Sequence, residues 1–265
     1  MSNEARKEKI KEALKNKNLV KVISGIQNYD KQKVLSVALA AEFGRAGAID
    51  ICDDPNIIKT VRATVQLPIF VSSVDPLKLI ASVSYGADVL ELGNYESFYK
   101  EGKMFTPSEI LDTFQFVKKS IPQDILTCVT VPSTLEIENQ VNLAEELVKL
   151  GADMIQTEGF AQDVPESDRT DKTFTELLQV MSTLANTIEI KKHLKDVDVI
   201  TASGITPTAV PIVLASGASG IGVGTYINSL FTQSEMTDRV KEIVRRTDGF
   251  MTKNLEYLEI PVLQK

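Results

Sequence analysis

Four Gly-Ala pairs recur along the chain, each ending a helical run and opening a short apolar strand: Gly47-Ala48, Gly86-Ala87, Gly151-Ala152 and Gly217-Ala218. Glycine suits the left-handed residue that turns a helix back into a strand, and the alanine beside it leaves room for close helix-strand packing. The strands that follow cover Ile49 to Cys52, Asp88 to Leu92, Asp153 to Thr157 and Gly220 to Val223. Each interval has room for two strand-helix units. Four more apolar strands fall between the pairs, at Leu19 to Ser24, Pro68 to Ser72, Ile125 to Thr130 and Val197 to Ser203. Eight alternating units with buried apolar strands predict a closed (β/α)8 barrel.

A chain of 265 residues with 43% hydrophobic content is the right size for one such domain. Residues 1–18 are expected as an extra helix plugging the N-terminal face, 19–246 as the barrel, and 247–265 as a tail. Phe250, Leu255, Tyr257 and Ile260 make that tail too apolar to stay in solvent, so it is expected to dock on the barrel or on a second copy. No apolar run approaches the ~20 residues of a membrane span, and the charged start is no signal peptide, so a chain free of the membrane is expected. A net charge of −7, with no basic cluster, argues against a nucleic-acid surface. Cys52 and Cys128 lie in different strands without zinc spacing, and the single histidine, His193, falls at a helix end on the N-terminal side. There is also no dinucleotide fingerprint, so neither metal nor cofactor is expected.

Helix starts are marked at Asp54-Pro55, Asp75-Pro76 and the capping box Thr106-Pro107-Ser108-Glu109. The remaining barrel helices are expected over about 31–45, 135–150, 174–192, 207–215 and 225–246. Two connections are long: Gly93 to Phe105, rich in aromatics, and Gly159 to Lys172, rich in Asp and Glu. Both leave the C-terminal mouth, where barrel enzymes keep their sites, so each is either a lid or rim decoration.

The main chemical signal is the pair Thr201-Ala202-Ser203-Gly204-Ile205-Thr206 and Gly220-Ile221-Gly222-Val223-Gly224-Thr225, after strands seven and eight. Glycines there let backbone amides approach an anion, and this architecture places its phosphate cup at those two strands. Ser203, Gly204, Gly222, Gly224 and Thr225 are therefore the candidate phosphate groups, although glycines that only make tight turns leave the same pattern. Charged residues inside apolar strands supply the chemistry: Lys21, Asp50, Glu91 and Glu158. An inward Lys21 beside Asp50 and Glu91 suits proton transfer or, as a neutral amine, imine formation; the same three residues also suit a structural ion-pair layer. Glu91 and Glu158, later in their strands, are the better acid/base candidates. Ser24, Asn28, Ser72, Asn94, Thr130 and Gln156 make a polar, mostly neutral rim fitted to a small polyol or heterocycle.

The segments Leu19-Val-Lys-Val-Ile-Ser-Gly-Ile-Gln-Asn-Tyr-Asp30, Ala48-Ile-Asp-Ile-Cys-Asp-Asp-Pro55, Gly86-Ala-Asp-Val-Leu-Glu-Leu-Gly-Asn-Tyr95, Gly151-Ala-Asp-Met-Ile-Gln-Thr-Glu-Gly159 and Ala202-Ser-Gly-Ile-Thr206 resemble the hypothetical chloroplast reading frame twenty-three family of cyanobacteria and algal plastids. The resemblance runs from about Lys17 to Arg246. It implies a TIM barrel of the ribulose-phosphate-binding type in plastid stroma or cyanobacterial cytoplasm, and it carries no assigned reaction. Two readings follow. One is an isomerase- or lyase-type enzyme acting on a small phosphorylated molecule. The other is a non-catalytic barrel that senses such a molecule or docks, as a homo-oligomer or on a plastid protein partner.

Overall fold

The computed structural model describes residues 1–99, 101–159 and 171–254, with side chains to Phe250. Eight parallel strands close on themselves in sequence order. They are β1 (Leu19–Ile23), β2 (Ala48–Ile51), β3 (Ile69–Ser73), β4 (Val89–Leu92), β5 (Leu126–Val131), β6 (Met154–Thr157), β7 (Asp198–Thr201) and β8 (Gly220–Val223). The helices are α1 (Asn3–Lys15), α2 (Lys31–Phe43), α3 (Pro55–Thr64), α4 (Pro76–Ser82), α5 (Glu96–Tyr99), α6 (Pro107–Ser120), α7 (Ile137–Lys149), α8 (Lys172–His193), α9 (Val210–Ala215), α10 (Thr225–Asn228) and α11 (Gln233–Asn254). The fold is the closed (β/α)8 barrel that the repeat predicts.

Three of the four Gly-Ala pairs close their helix as expected, with φ of +114° at Gly86, +95° at Gly151 and +100° at Gly217. The first pair differs. Arg45 takes the left-handed residue there (φ 63°), and Ala46 N–H returns to the Ala41 carbonyl, so the helix ends two residues early. The residue after the pair adds a second device. Asp88 accepts from the Ile69 amide and Asp153 from the Thr127 amide, each tying its strand to the start of the one before it.

Local capping follows the sequence. Asp54 and Asp75 accept the first amides of α3 and α4, and the Thr106–Glu109 capping box starts α6. Two expected spans change. The helix expected from Pro207 begins at Val210, because the residues before it close a turn on the Thr206 carbonyl. The helix expected over 225–246 is two: a second capping box, between Thr232 and Glu235, restarts the chain as α11. That helix runs through Arg246 to Asn254, so the first part of the segment read as a tail is helical, with Thr247 buried and Phe250 packed on the core. Residues 255–265, which carry the rest of the docking expectation, lie outside the described residues, as do 160–170 of the second long connection.

Inside the barrel two layers differ in chemistry. The lower one is apolar: Leu19, Ala48, Phe70, Val89, Leu126, Met154 and Ile200, closed from below by Ile10 and Leu14 of α1. Arg6 of α1 and Arg62 of α3 both bond the buried Asp88 carboxylate at 2.8 Å, which fixes the plug. Above it lies a polar layer. Lys21 Nζ contacts Asp50 Oδ2 at 3.2 Å and donates to Glu91 Oε2, and all three side chains are 0–1% exposed. Gln156 Nε2 donates to Glu91 Oε1 at 2.7 Å, and Ser72 Oγ to Asp50 Oδ1 at 2.6 Å. Parallel register sets these neighbours, with Ser72 beside Glu91, Glu91 beside Cys128 and Thr130 beside Gln156.

Burial alone would strip the proton from Lys21, but Asp50 and Glu91 together outweigh it, so the ammonium is held charged above its ordinary range. Removing it would leave two carboxyls in a dry interior. Lys21→Met is expected to lose about 3–5 kcal/mol of unfolding free energy in urea titration. Ile10→Ala, which opens the base of the barrel without touching charge, should lose about 2–5 kcal/mol in the same measurement.

Candidate functional site

A cavity of about 660 Å³ opens at the C-terminal mouth. Its walls come from the ends of β1, β7 and β8, from the connection after β4 and from the first turns of α8. The two glycine turns meet here: Ser203 and Gly204 after β7, Gly224 and Thr225 after β8, all lining the cavity. Among the described residues, the amides of these four donate to no protein acceptor. Ser203 and Gly204 both hold φ of 72°, and a Cβ on Gly204 would sit 2.7 Å from the Gln179 carbonyl of α8. Only glycine fits that approach. α8 is itself pinned by a buried hydroxyl ladder in which Thr157 meets Thr183 and Thr187 at 2.9 Å, and Thr187 meets Thr201 at 2.7 Å.

Glu158, just past β6, lines the same cavity and is 2% exposed. Its carboxylate accepts from the Tyr99 hydroxyl, from the Ser133 amide at 3.2 Å and from the Glu96 amide at 3.1 Å. Burial lifts this carboxyl to about 7; the three hydrogen bonds pull the other way without cancelling it, and the nearby Glu96 charge adds to the rise. The residue therefore exchanges its proton near neutrality. Tyr99 and Glu96 belong to α5, inside the long connection after β4. Its aromatics are packed rather than free: Tyr95 and Phe98 are buried, and Phe105 meets both, tilted against Tyr95 with ring centroids 4.4 Å apart and edge-on to Phe98 at 5.9 Å. This connection is a built wall of the cavity that holds Glu158 in position.

Of the other candidates, Lys21, Asp50, Glu91 and Gln156 do not reach the cavity; they interlock beneath it. Asn94 joins the two levels. It lines the cavity, donates from Nδ2 to Ser72 Oγ at 2.8 Å and to Asp50 Oδ2 at 3.2 Å, and accepts from Gln156 at 2.7 Å. Ser72 and Thr130 belong to the buried layer, Thr130 accepting from the Asn94 amide at 3.1 Å. Ser24 and Asn28 bond each other at 3.0 Å and shape the turn after β1. Gly222 lies within β8, where a Cβ would meet Ala202 Cβ and Ile23 Cδ1 at 2.9 Å; it serves close packing at the barrel axis and does not line the cavity. With its ammonium held charged, Lys21 suits electrostatic support and not imine formation, which needs the free amine. The thiols of Cys52 and Cys128 are both pushed up by burial, and His193 is exposed at the end of α8. Among the described residues no group of His, Cys, Asp and Glu could hold a metal, and no helix is long and apolar enough to cross a membrane.

Three cavity residues carried no sequence signal. Glu96 follows a turn, Glu176 sits in the first turns of α8 where acidic residues are ordinary, and Asn228 lies in a four-residue helix. Ser203 Oγ donates to Glu96 Oε2 at 2.8 Å and Thr206 Oγ1 to Glu176 Oε2 at 2.9 Å, so each carboxylate is a neighbour of the anion turns only in three dimensions.

Comparison with known proteins agrees with the fold and the lineage. Thiamine phosphate pyrophosphorylase from Pyrococcus furiosus superposes with a TM-score of 0.59 at 18% identity, covering 89% of this chain and 98% of that one. A 3-hexulose-6-phosphate synthase does so with 0.59 at 16% identity, covering 86% and 99%. At such identities the likeness shows the barrel alone. Among sequence relatives, the "Uncharacterized protein ycf23" of Cyanidium caldarium is 36% identical over 239 residues, 89% of this chain and 94% of that one. That of Cyanophora paradoxa is 34% identical over 241 residues, 90% and 96%. These relatives are encoded in plastids of red algae and glaucophytes. The model for "Protein of unknown function (DUF561)" matches residues 1–252, and the chain, a relative of the ycf23 proteins, belongs to that family.

Proposed function

We propose that this protein binds a small phosphorylated metabolite at the barrel mouth, with phosphate on the amides of Ser203, Gly204 and Gly224 and on Thr225, and with Glu158 as the proton-transfer group of an isomerase- or lyase-type reaction. The observation that carries the reading is the sharing of one cavity by two turns whose amides have no acceptor among the described residues and a carboxyl that burial lifts to about 7. Lys21, Asp50 and Glu91 act from below as a fixed charge layer, reaching the ligand only through Asn94. Structural likeness to barrels whose names include phosphate compounds supports the assignment of the anion site. The plastid-encoded relatives support a setting in plastid stroma or cyanobacterial cytoplasm.

The second reading, a sensor that binds the same class of ligand without turnover, is favoured by the dry interlocking of Lys21, Asp50, Glu91 and Gln156, which takes three of the four charged candidates out of reach of a substrate. Both readings share the anion site. Calorimetric titration with ribose 5-phosphate and with ribose separates a phosphate cup from plain glycine turns: the phosphorylated sugar is expected to bind at least about tenfold tighter. Equal weakness of the two would remove the site from both readings.

Glu158 is tested through stability. Because folding raises its affinity for a proton, its stabilising term is complete below about pH 4.5 and is lost as pH rises toward 7. The loss amounts to about 3 kcal/mol. Thermal melts of the wild type should show this decline, and Glu158→Gln should flatten it. A variant with an unchanged slope would show that Glu158 is not the group that titrates.

A further inference from the structure

We infer that Glu96 and Glu176 make the anion site selective for an oxyanion that carries a proton, such as a phosphate monoester monoanion, against one that carries none, such as sulfate. The inference rests on the phosphate reading above and specifies its charge state.

The two walls of the site offer opposite chemistry. The turn amides of Ser203, Gly204, Gly224 and Thr225 are donors. The hydroxyls of Ser203 and Thr206 are not, because each has a single proton and has given it away: Ser203 to Glu96 Oε2 at 2.8 Å, Thr206 to Glu176 Oε2 at 2.9 Å. A ligand at the turns thus meets hydroxyl lone pairs backed by two carboxylates. Asn228 also lines the cavity. Its Nδ2 is committed to the Ile23 carbonyl at 2.8 Å and the Ser24 carbonyl at 3.3 Å, and its buried Oδ1 has no donor among the described residues. An oxyanion whose bare oxygens accept from the amides must bring an O–H to satisfy the acceptor side. A phosphate monoester, with a second pKa of about 6, brings one at and below that pH. Sulfate has none to bring, and sets lone pairs against carboxylates at the cost of an unmade charge-assisted hydrogen bond.

Other charged and titratable groups face the same space. Glu158 comes from beyond β6 and Lys172 from the start of α8 with its ammonium 3.8 Å from Glu176 Oε1, while Tyr226 of α10 lines the cavity with its hydroxyl held by Glu242 and Arg239 of α11. Lys21, Asp50 and Glu91 lie beneath Asn94. Glu158 takes up a proton over the same range as phosphate, which favours any anion. Sulfate, whose own charge does not change there, registers that contribution separately.

The test is isothermal titration of the full chain with methyl phosphate, a monoester that carries a proton at about pH 5.5 and none at about pH 8, and with sodium sulfate, at both pH values. Methyl phosphate should exceed sulfate by roughly tenfold or more at the lower pH, and the ratio should shrink at the higher one. Glu96→Gln and Glu176→Gln, which put an amide donor beside the site, should raise sulfate affinity and bring the ratio toward one. Sulfate binding as tightly as methyl phosphate in the wild type at the lower pH overturns the selectivity while leaving the anion site intact, as does a ratio unchanged in both variants. Failure of both anions to bind overturns the site itself.

Discussion

A single ammonium, Lys21, stands inside the barrel against two carboxylates, and the rest of the interior is arranged around the need to keep that group dry and satisfied. Eight strands of Val, Ile and Leu would fill their axis with stacked apolar layers. Here the layer above Phe70 and Met154 must supply partners for one cation and two acids, and burial together with Asp50 pushes the Glu91 carboxyl above its ordinary range despite Lys21. Gln156, Ser72 and Thr130 complete the layer. Its consequence is a division by height, with an apolar plug sealed by α1 below and a polar mouth above.

Asn94 is the hinge of that division. It reaches the cavity on one side and Asp50 on the other, in a left-handed backbone conformation (φ 62°) that lets the chain turn away from β4 into the aromatic wall. The wall then presents Glu96 to the mouth and Tyr99 to Glu158. Beside it the turns after β7 and β8 present amides. The mouth therefore sets amide donors and carboxylates side by side, Glu96 on Ser203 and Glu176 on Thr206, and α8 takes part in their spacing because its backbone lies against Gly204 while its first turns carry Glu176.

Much of this was legible in the linear chain. The Gly-Ala pairs predicted eight strands and their order, since a helix that ends in a left-handed residue and runs into an apolar strand has few other ways to pack. Lys21, Asp50 and Glu91 stood out as charged residues inside apolar strands, and Gln156 was read as part of the polar rim. What could not be read was their height relative to the solvent, which depends on strand stagger around a closed barrel. Gly222 shows the same limit: its pattern matches an anion turn, but one residue of register puts it at the barrel axis against Ala202 and Ile23. The break between α10 and α11 was legible and missed, for the Thr232-x-x-Glu235 box has the same form as the one that starts α6.

The sequence by itself determined the barrel, its strand order, the identity of its buried charges and the two turns that end β7 and β8, because each depends on neighbours close in the chain: caps, alternation and glycine at a helix end. Tertiary structure alone decided which charges a ligand can touch. Glu158 became a neutral-range carboxyl through burial behind Tyr99, and Glu96 and Glu176 became neighbours of Ser203 and Thr206 through closure of strands that lie far apart in sequence. Desolvation and charge proximity are properties of the closed barrel, and no local pattern encodes them.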